Sequence, residues 1–363
     1  MKLTIPDYIQ AIDPYVPGKP MEALEREYGI RDSVKLASNE NPLGPSPKAL
    51  DAIRQGLAAL HRYPDGAGHR LTRRIAEVNG ILPQCVVIGN GSDDIIALLI
   101  RALIRPGDGV IVPWPSFLMY TISANAAGAA VTSVPLKKMA MDLDEMAARI
   151  DADTRLVFIC NPNNPTGTVV SRDDFERFLD RLPEHVVVVV DEAYIEFARD
   201  PDCLRTGRAE DLARPLVTLR TFSKAYGLAG LRVGYGIMPA VLAEVLHRVR
   251  PPFNVNAVAQ AGALAALDDR EFLAQSLDLV HRGLDQLHTG LDRLGLTYHP
   301  TEANFFLIDV GRPADDVFEM MLRQGVIVRS MKAYGFSETI RINAGREAEN
   351  QRFLDALETV LGA

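Results

Sequence analysis

Cysteine is scarce in this sequence. Cys85, Cys160 and Cys203 are few, odd in number and far apart along 363 residues. That usage excludes a disulfide framework and the paired-cysteine pattern of zinc sites, and it suits a reducing cytoplasm. The seven histidines fall in no H-x-x-x-H or H-E-x-x-H spacing, so no metal site is expected. The first twenty residues carry one early lysine and no apolar core, unlike a secretory signal. No G-x-x-x-x-G-K-[ST] string occurs. A P-loop nucleotidase is thereby removed, although Asp191-Glu192 closes a valine run as a Walker B strand would. Gly89-x-Gly91-x-x-Asp94 lacks the third glycine of a dinucleotide-binding turn. Positive charge is in deficit: 39 Lys and Arg stand against 47 Asp and Glu, a net charge of -8. That balance argues against nucleic-acid and anionic-membrane partners. One uncharged stretch, 109–136, is long enough to span a bilayer. Pro113, Pro115 and Pro135 interrupt it, with Ser116, Thr121, Ser123, Asn125 and Thr132. It reads as strand, turn, buried helix and strand.

What is present is an ordinary globular composition, 47% hydrophobic and 24% charged. The length suits two domains. Pro6, Pro14, Pro17 and Pro20 forbid a long helix at the start, so 1–32 is expected to be an extended arm. From 33 to 253, Val- and Ile-rich runs alternate with amphipathic segments. The runs are 86–89, 110–112, 131–134, 156–160, 186–190, 216–219 and 233–237, and they read as strands buried on both faces. Helices are expected at 93–105, 172–181 and 239–250. This alternation predicts an α/β domain with a mostly parallel sheet flanked by helices. Residues 254–363 read as a small α+β domain. It would have one or two long helices over 256–294, strands at 303–310, 325–328 and 340–343, and a closing helix at 347–361.

In an open α/β sheet the ligand sits beyond the carboxyl ends of the strands. Five polar clusters fall there. Gly91-Ser92-Asp93 begins a helix, where backbone N–H groups and the helix dipole favour a phosphate, or where a plain N-cap would serve. The amide of Asn164, in Asn163-Asn164-Pro165-Thr166-Gly167, is a potential donor. Asp191 follows five valines and should be buried, so it needs a cationic partner. Thr221, Ser223 and Lys224 follow the next strand, and Arg232 comes eight residues after Lys224. An amine for a Schiff base, hydroxyls and an arginine for a phosphate, and a buried carboxylate for a pyridinium nitrogen together suit one cofactor, pyridoxal 5'-phosphate.

At these residues the sequence resembles the fold type I aminotransferases, and within them the histidinol-phosphate aminotransferase family. The strings that carry the resemblance are 35–44 (KLASNENPLG), 62–66 (RYPDG), 163–167 (NNPTG), 191–194 (DEAY), 221–232 (TFSKAYGLAGLR) and 250–254 (RPPFN). The resemblance implies that Lys224 holds the cofactor and Asp191 pairs with its ring nitrogen. Asn164 and Tyr194 would hold the phenolic oxygen, and Phe117 would stack on the ring. Gly91, Ser92, Asp93, Thr221, Ser223 and Arg232 would surround the phosphate. Tyr63 would reach the phosphate of the other subunit, making a homodimer. On the substrate side Arg341 and Arg329 would bind anionic groups, because an arginine fork suits carboxylate and phosphate; Asn164 would also contact the substrate, and Tyr15 would close the site from the arm.

The implied reaction transfers an amino group between L-histidinol phosphate and 2-oxoglutarate, giving imidazole acetol phosphate and L-glutamate in histidine biosynthesis. An aromatic-amino-acid or prephenate aminotransferase would use the same scaffold. A decarboxylase of a phosphorylated amino acid would share the cofactor residues.

Overall fold

The structure is a computed structural model that describes residues 3–362. The first strand, β1 (Val34–Lys35), is too short to announce itself in the sequence. Next come β2 (Val86–Gly89), β3 (Gly109–Trp114), β4 (Ala130–Pro135), β5 (Thr154–Cys160), β6 (Val187–Asp191), β7 (Leu216–Thr221) and β8 (Gly234–Ile237). These seven form one sheet in the order β2-β8-β7-β6-β5-β3-β4. All its pairings are parallel except those of β8, which runs antiparallel to both β2 and β7.

Every residue of β2 is buried, and so is every residue of β6 after Val187. Such strands need no polar alternation, because helices cover both faces. The strand expected at 131–134 is a correction. As β4 it lies at the sheet edge, and only Val134 is buried. The uncharged stretch folds as β3, helix Met119–Ala126 and β4. That helix buries only Tyr120 and Ala124, so it is a half-buried cover. Among the described residues no helix is long and apolar enough to cross a membrane. Cys85, Cys160 and Cys203 are free and buried.

The C-terminal third supplies β9 (Thr297–Tyr298), β10 (Phe305–Asp309), β11 (Val326–Ile327), β12 (Arg329–Ser330) and β13 (Thr339–Asn343). Four of these form a sheet in the order β12-β13-β10-β9. The segment 256–294 is two helices, Ala257–Leu267 and Arg270–Arg293, and the closing helix is Glu347–Leu361.

The arm is less extended than expected. Pro20 precedes a helix at Met21–Tyr28, which ends on left-handed Gly29 and seats Leu24 against Ala37, Leu322 and Ile327. Flanking prolines hid that short amphipathic segment. β1 then pairs in parallel with β11, and Val34 and Leu36 join the core of the C-terminal region. Residues early in the chain are thus built into the structure formed by its last third.

Candidate active site

Hydrogen bonding brings the ends of β5 and β6 level, with β7 running two residues further. Cys160 is opposite Asp191, and Asp191 is opposite Leu219. A cleft opens beyond them. Of its twelve lining residues, ten were singled out from sequence: Ser92, Asp93, Phe117, Asn164, Asp191, Tyr194, Thr221, Ser223, Lys224 and Arg232. Cys160 and Ala193 complete the lining.

Asp191 is 3% exposed. Its Oδ2 accepts from the Tyr120 hydroxyl at 2.7 Å and its Oδ1 from the Ala193 N–H at 3.2 Å. The expectation of a cationic partner needs correction, because no ion pair of the described residues includes Asp191. The neighbour Glu192 has one instead, with Arg220 at 2.5 Å and Thr206 beside it. Burial pushes the Asp191 carboxyl up to about 6, against the pull of the Tyr120 hydroxyl. A buried carboxylate without a protein cation, facing a cleft, fits a cationic ligand nitrogen. Sequence reasoning missed Tyr120. Its ring stacks on Phe158 at 4.6 Å and meets Phe117 edge-on at 5.5 Å. Its only sequence signal was a lone aromatic in an uncharged helix.

Lys224 Nζ donates to the Ser38 carbonyl at 3.2 Å and lies 5.4 Å from the centre of the Tyr194 ring. Burial, and then Arg341, lower its pKa to about 8. Such an amine is far more often neutral near pH 7 than an exposed lysine, as a carbonyl-reactive lysine requires.

The helix Ser92–Leu103 begins beside Lys224 and has no side-chain cap. Gly91, at its N-cap, has φ +81°, and a Cβ there would meet Arg232 Nη2 at 2.8 Å. The positive φ favours glycine here, and a side chain would also displace the end of Arg232 from the helix start. Arg232 pairs with Asp93 at 3.4 Å and reaches Ser223 Oγ at 3.5 Å, and Ser223 Oγ lies 3.0 Å from Thr221 Oγ1. Uncapped N–H groups, two hydroxyls and a guanidinium form a phosphate-type cradle. With Gly91 at the N-cap, no side chain caps this helix.

Arg341 lies on β13. Nη1 donates to Asn164 Oδ1, Nη2 donates to the Ala37 carbonyl at 3.1 Å, and the guanidinium sits 5.1 Å from the Phe305 ring centre. Asn164 is held from behind by Asn163, whose side chain binds Ser116 and the Pro115 carbonyl. Arg329, on β12, pairs in register with Arg341 and donates to the Val16 carbonyl at 2.7 Å. That bond ties the segment of Tyr15 to the same edge, with Tyr15 itself 43% exposed. Tyr63 is 83% exposed and stacks on Phe253 at 4.7 Å. It does not line the cleft of its own chain.

Residues 31–357 match the family model of aminotransferase class I and II. The chain is 47% identical to a histidinol-phosphate aminotransferase of Desulfotalea psychrophila over 99% of this chain and 96% of that one. It is 51% identical to histidinol-phosphate aminotransferase 2 of Pseudomonas fluorescens, over 97% and 96%. The chain belongs to the histidinol-phosphate aminotransferase family. A solved histidinol-phosphate aminotransferase of Sinorhizobium meliloti, in complex with pyridoxal-5'-phosphate, superposes with a TM-score of 0.90. It is 28% identical, over 98% of this chain and 96% of that one. An aspartate aminotransferase of Thermus thermophilus with maleate, 24% identical over 99% and 100%, has a TM-score of 0.84 and shares the fold. Family and geometry agree that the chain is a fold type I aminotransferase with its cleft at the strand ends.

Proposed function

We propose that this chain is a pyridoxal 5'-phosphate-dependent transaminase acting between L-histidinol phosphate and 2-oxoglutarate, with imidazole acetol phosphate and L-glutamate as products. The observation that carries the reading is the pairing of unmet needs across one cleft. Asp191 is a buried carboxylate with no cation, and Lys224 is a buried amine drawn down to about 8. Pyridoxal 5'-phosphate, when bound, supplies an electron sink for the charge left on substrate Cα.

The chain's own groups do the rest. Asp191 holds a proton on the ring nitrogen by its charge. Lys224 Nζ anchors the cofactor and, when free, carries a proton to and from substrate Cα. Thr221, Ser223, Arg232 and the N–H groups at Ser92 and Asp93 hold the phosphate. Phe117 covers one ring face, and Asn164 and Tyr194 hold the phenolic oxygen. Arg341, Arg329 and Tyr15 receive the anionic ends of the substrates. Tyr63 and its neighbours serve the partner subunit of a homodimer, for which the exposed Tyr63–Phe253 stack is the support. Residues 1–32 and 254–363 act as a small domain against the large one at 33–253. Three free buried cysteines suit a cytoplasmic address.

Steady-state kinetics with histidinol phosphate and 2-oxoglutarate should give parallel double-reciprocal lines. Intersecting lines would remove the two-half-reaction scheme. A higher kcat/KM for phenylalanine, tyrosine or prephenate would transfer the assignment to the aromatic reading, and CO₂ release would transfer it to a decarboxylase.

A further inference from the structure

Three consecutive residues, Ala37 to Asn39, touch three groups of the site. The Ala37 carbonyl accepts from Arg341 and the Ser38 carbonyl from Lys224 Nζ. Asn39 Nδ2 donates to the Tyr194 hydroxyl at 3.0 Å. Asn39 is 2% exposed and sits at φ +55°, a left-handed conformation that few residues other than glycine, asparagine and aspartate adopt readily. Its backbone is held from the small-domain side. The N–H donates to Asn343 Oδ1 at 3.0 Å, and the carbonyl accepts from Asn304 Nδ2 at 3.2 Å. Its own Oδ1 is buried without a partner. Leaving a buried amide oxygen unsatisfied is unfavourable, so the position holds Asn39 against a local cost.

We propose that Asn39 is a positioning residue for the transamination: by donating to the Tyr194 oxygen it leaves the phenolic proton free to point into the cleft, and its backbone fixes that phenol relative to the small domain. A phenol that accepts one hydrogen bond from behind can give its own proton forward, toward the oxygen it is read to bind. An aspartate at 39 would reverse this, because a carboxylate accepts and would draw the phenolic proton away. The inference rests on the cofactor reading above and deepens it. Arg341, Cys160 and Asp191 face the Tyr194 hydroxyl, and Lys224 faces its ring. None of the four is substituted in the variants proposed here.

The test is a double-mutant cycle read by absorbance titration of the purified protein with pyridoxal 5'-phosphate. Asn39→Asp keeps size and left-handed tolerance but loses the donor. We expect it to weaken cofactor binding about tenfold, the scale of one buried hydrogen bond. The pH midpoint of the bound chromophore should rise by about one unit. In the Tyr194→Phe background the same change should have less than about a twofold effect, because its target is gone. Asn39→Gly relaxes the backbone and deletes the amide, and it should reproduce the midpoint shift if Asn39→Asp does not fold. An unmoved midpoint in both variants, or an equal loss with and without the Tyr194 hydroxyl, would overturn the proposal. Failure of the unmutated protein to take up pyridoxal 5'-phosphate would instead overturn the cofactor reading.

Discussion

The two walls of the cleft are satisfied to different degrees. On the wall built by the seven-stranded sheet Asp191 has no cation, and the helix beginning at Ser92 has no side-chain cap. On the wall built by the four-stranded sheet Arg341 binds Asn164 and the Ala37 carbonyl and leaves only Nε unpaired. One wall lacks what a phosphorylated pyridine would supply. The other is nearly self-sufficient and must exchange partners when an anion arrives. Tight retention is therefore expected on the cofactor side. The substrate side should bind more weakly and let its ligands leave, as a two-substrate cycle needs.

Lys224→Ala should break the cofactor side most completely. Turnover should fall by at least about 10⁴-fold, with loss of the covalently bound chromophore, seen by absorbance and by borohydride trapping. Asp191→Asn keeps the shape and removes the charge, and kcat should fall by roughly 10²- to 10³-fold. A fall below about tenfold would mean that this wall does not depend on the Asp191 charge.

Arg341→Lys tests the other wall. The planar fork is lost, so kcat/KM for both substrates should drop about 10²-fold, while cofactor affinity changes less than about twofold. A parallel loss of cofactor binding would merge the two walls into one.

Tyr120→Phe is the gentler probe. It removes one hydrogen bond to Asp191 and should lower kcat about tenfold, with the acidic limb of the pH profile moving upward. The direction follows from Asp191, whose pKa already stands at about 6 and would rise without the hydroxyl. The smallest effect is a pH dependence of reconstitution. Lys224 must be neutral to react, so the rate at which cofactor-free protein takes up pyridoxal 5'-phosphate should rise toward pH 8 and then level off. A rate still climbing at pH 10 would mean that burial has not lowered the amine.

The same division governs how much was legible in the chain. The cofactor wall is written locally, because most of its groups end a strand or follow one within a few residues, with Arg232 just ahead of β8. Apolar runs located those strands to within two residues at nearly every end, and α/β topology placed their polar sequels on one rim. β1 is two residues long and paired only to β11, so no period could betray it. Asp191 illustrates the other limit. Its burial followed from the valines before it, but its partner, Tyr120, lies 71 residues away. Glu192, adjacent in sequence, received the arginine instead.

By itself the sequence determined the alternation of strands and helices, the order of the polar clusters and the chemistry each could offer, because these depend on neighbours along the chain. Tertiary structure alone decided that the stretch from Ala37 to Asn39 lies against Arg341, Lys224 and Tyr194. It also decided that Asp191 carries no protein cation and that Arg341 is already partnered. Those facts depend on which groups meet across separations of 71 to 304 residues. The charge told the same story. A chain of net charge -8 can still offer a cradle suited to an anion, because one arginine, two hydroxyls and a helix start converge within a few ångströms, where local geometry outweighs the sum.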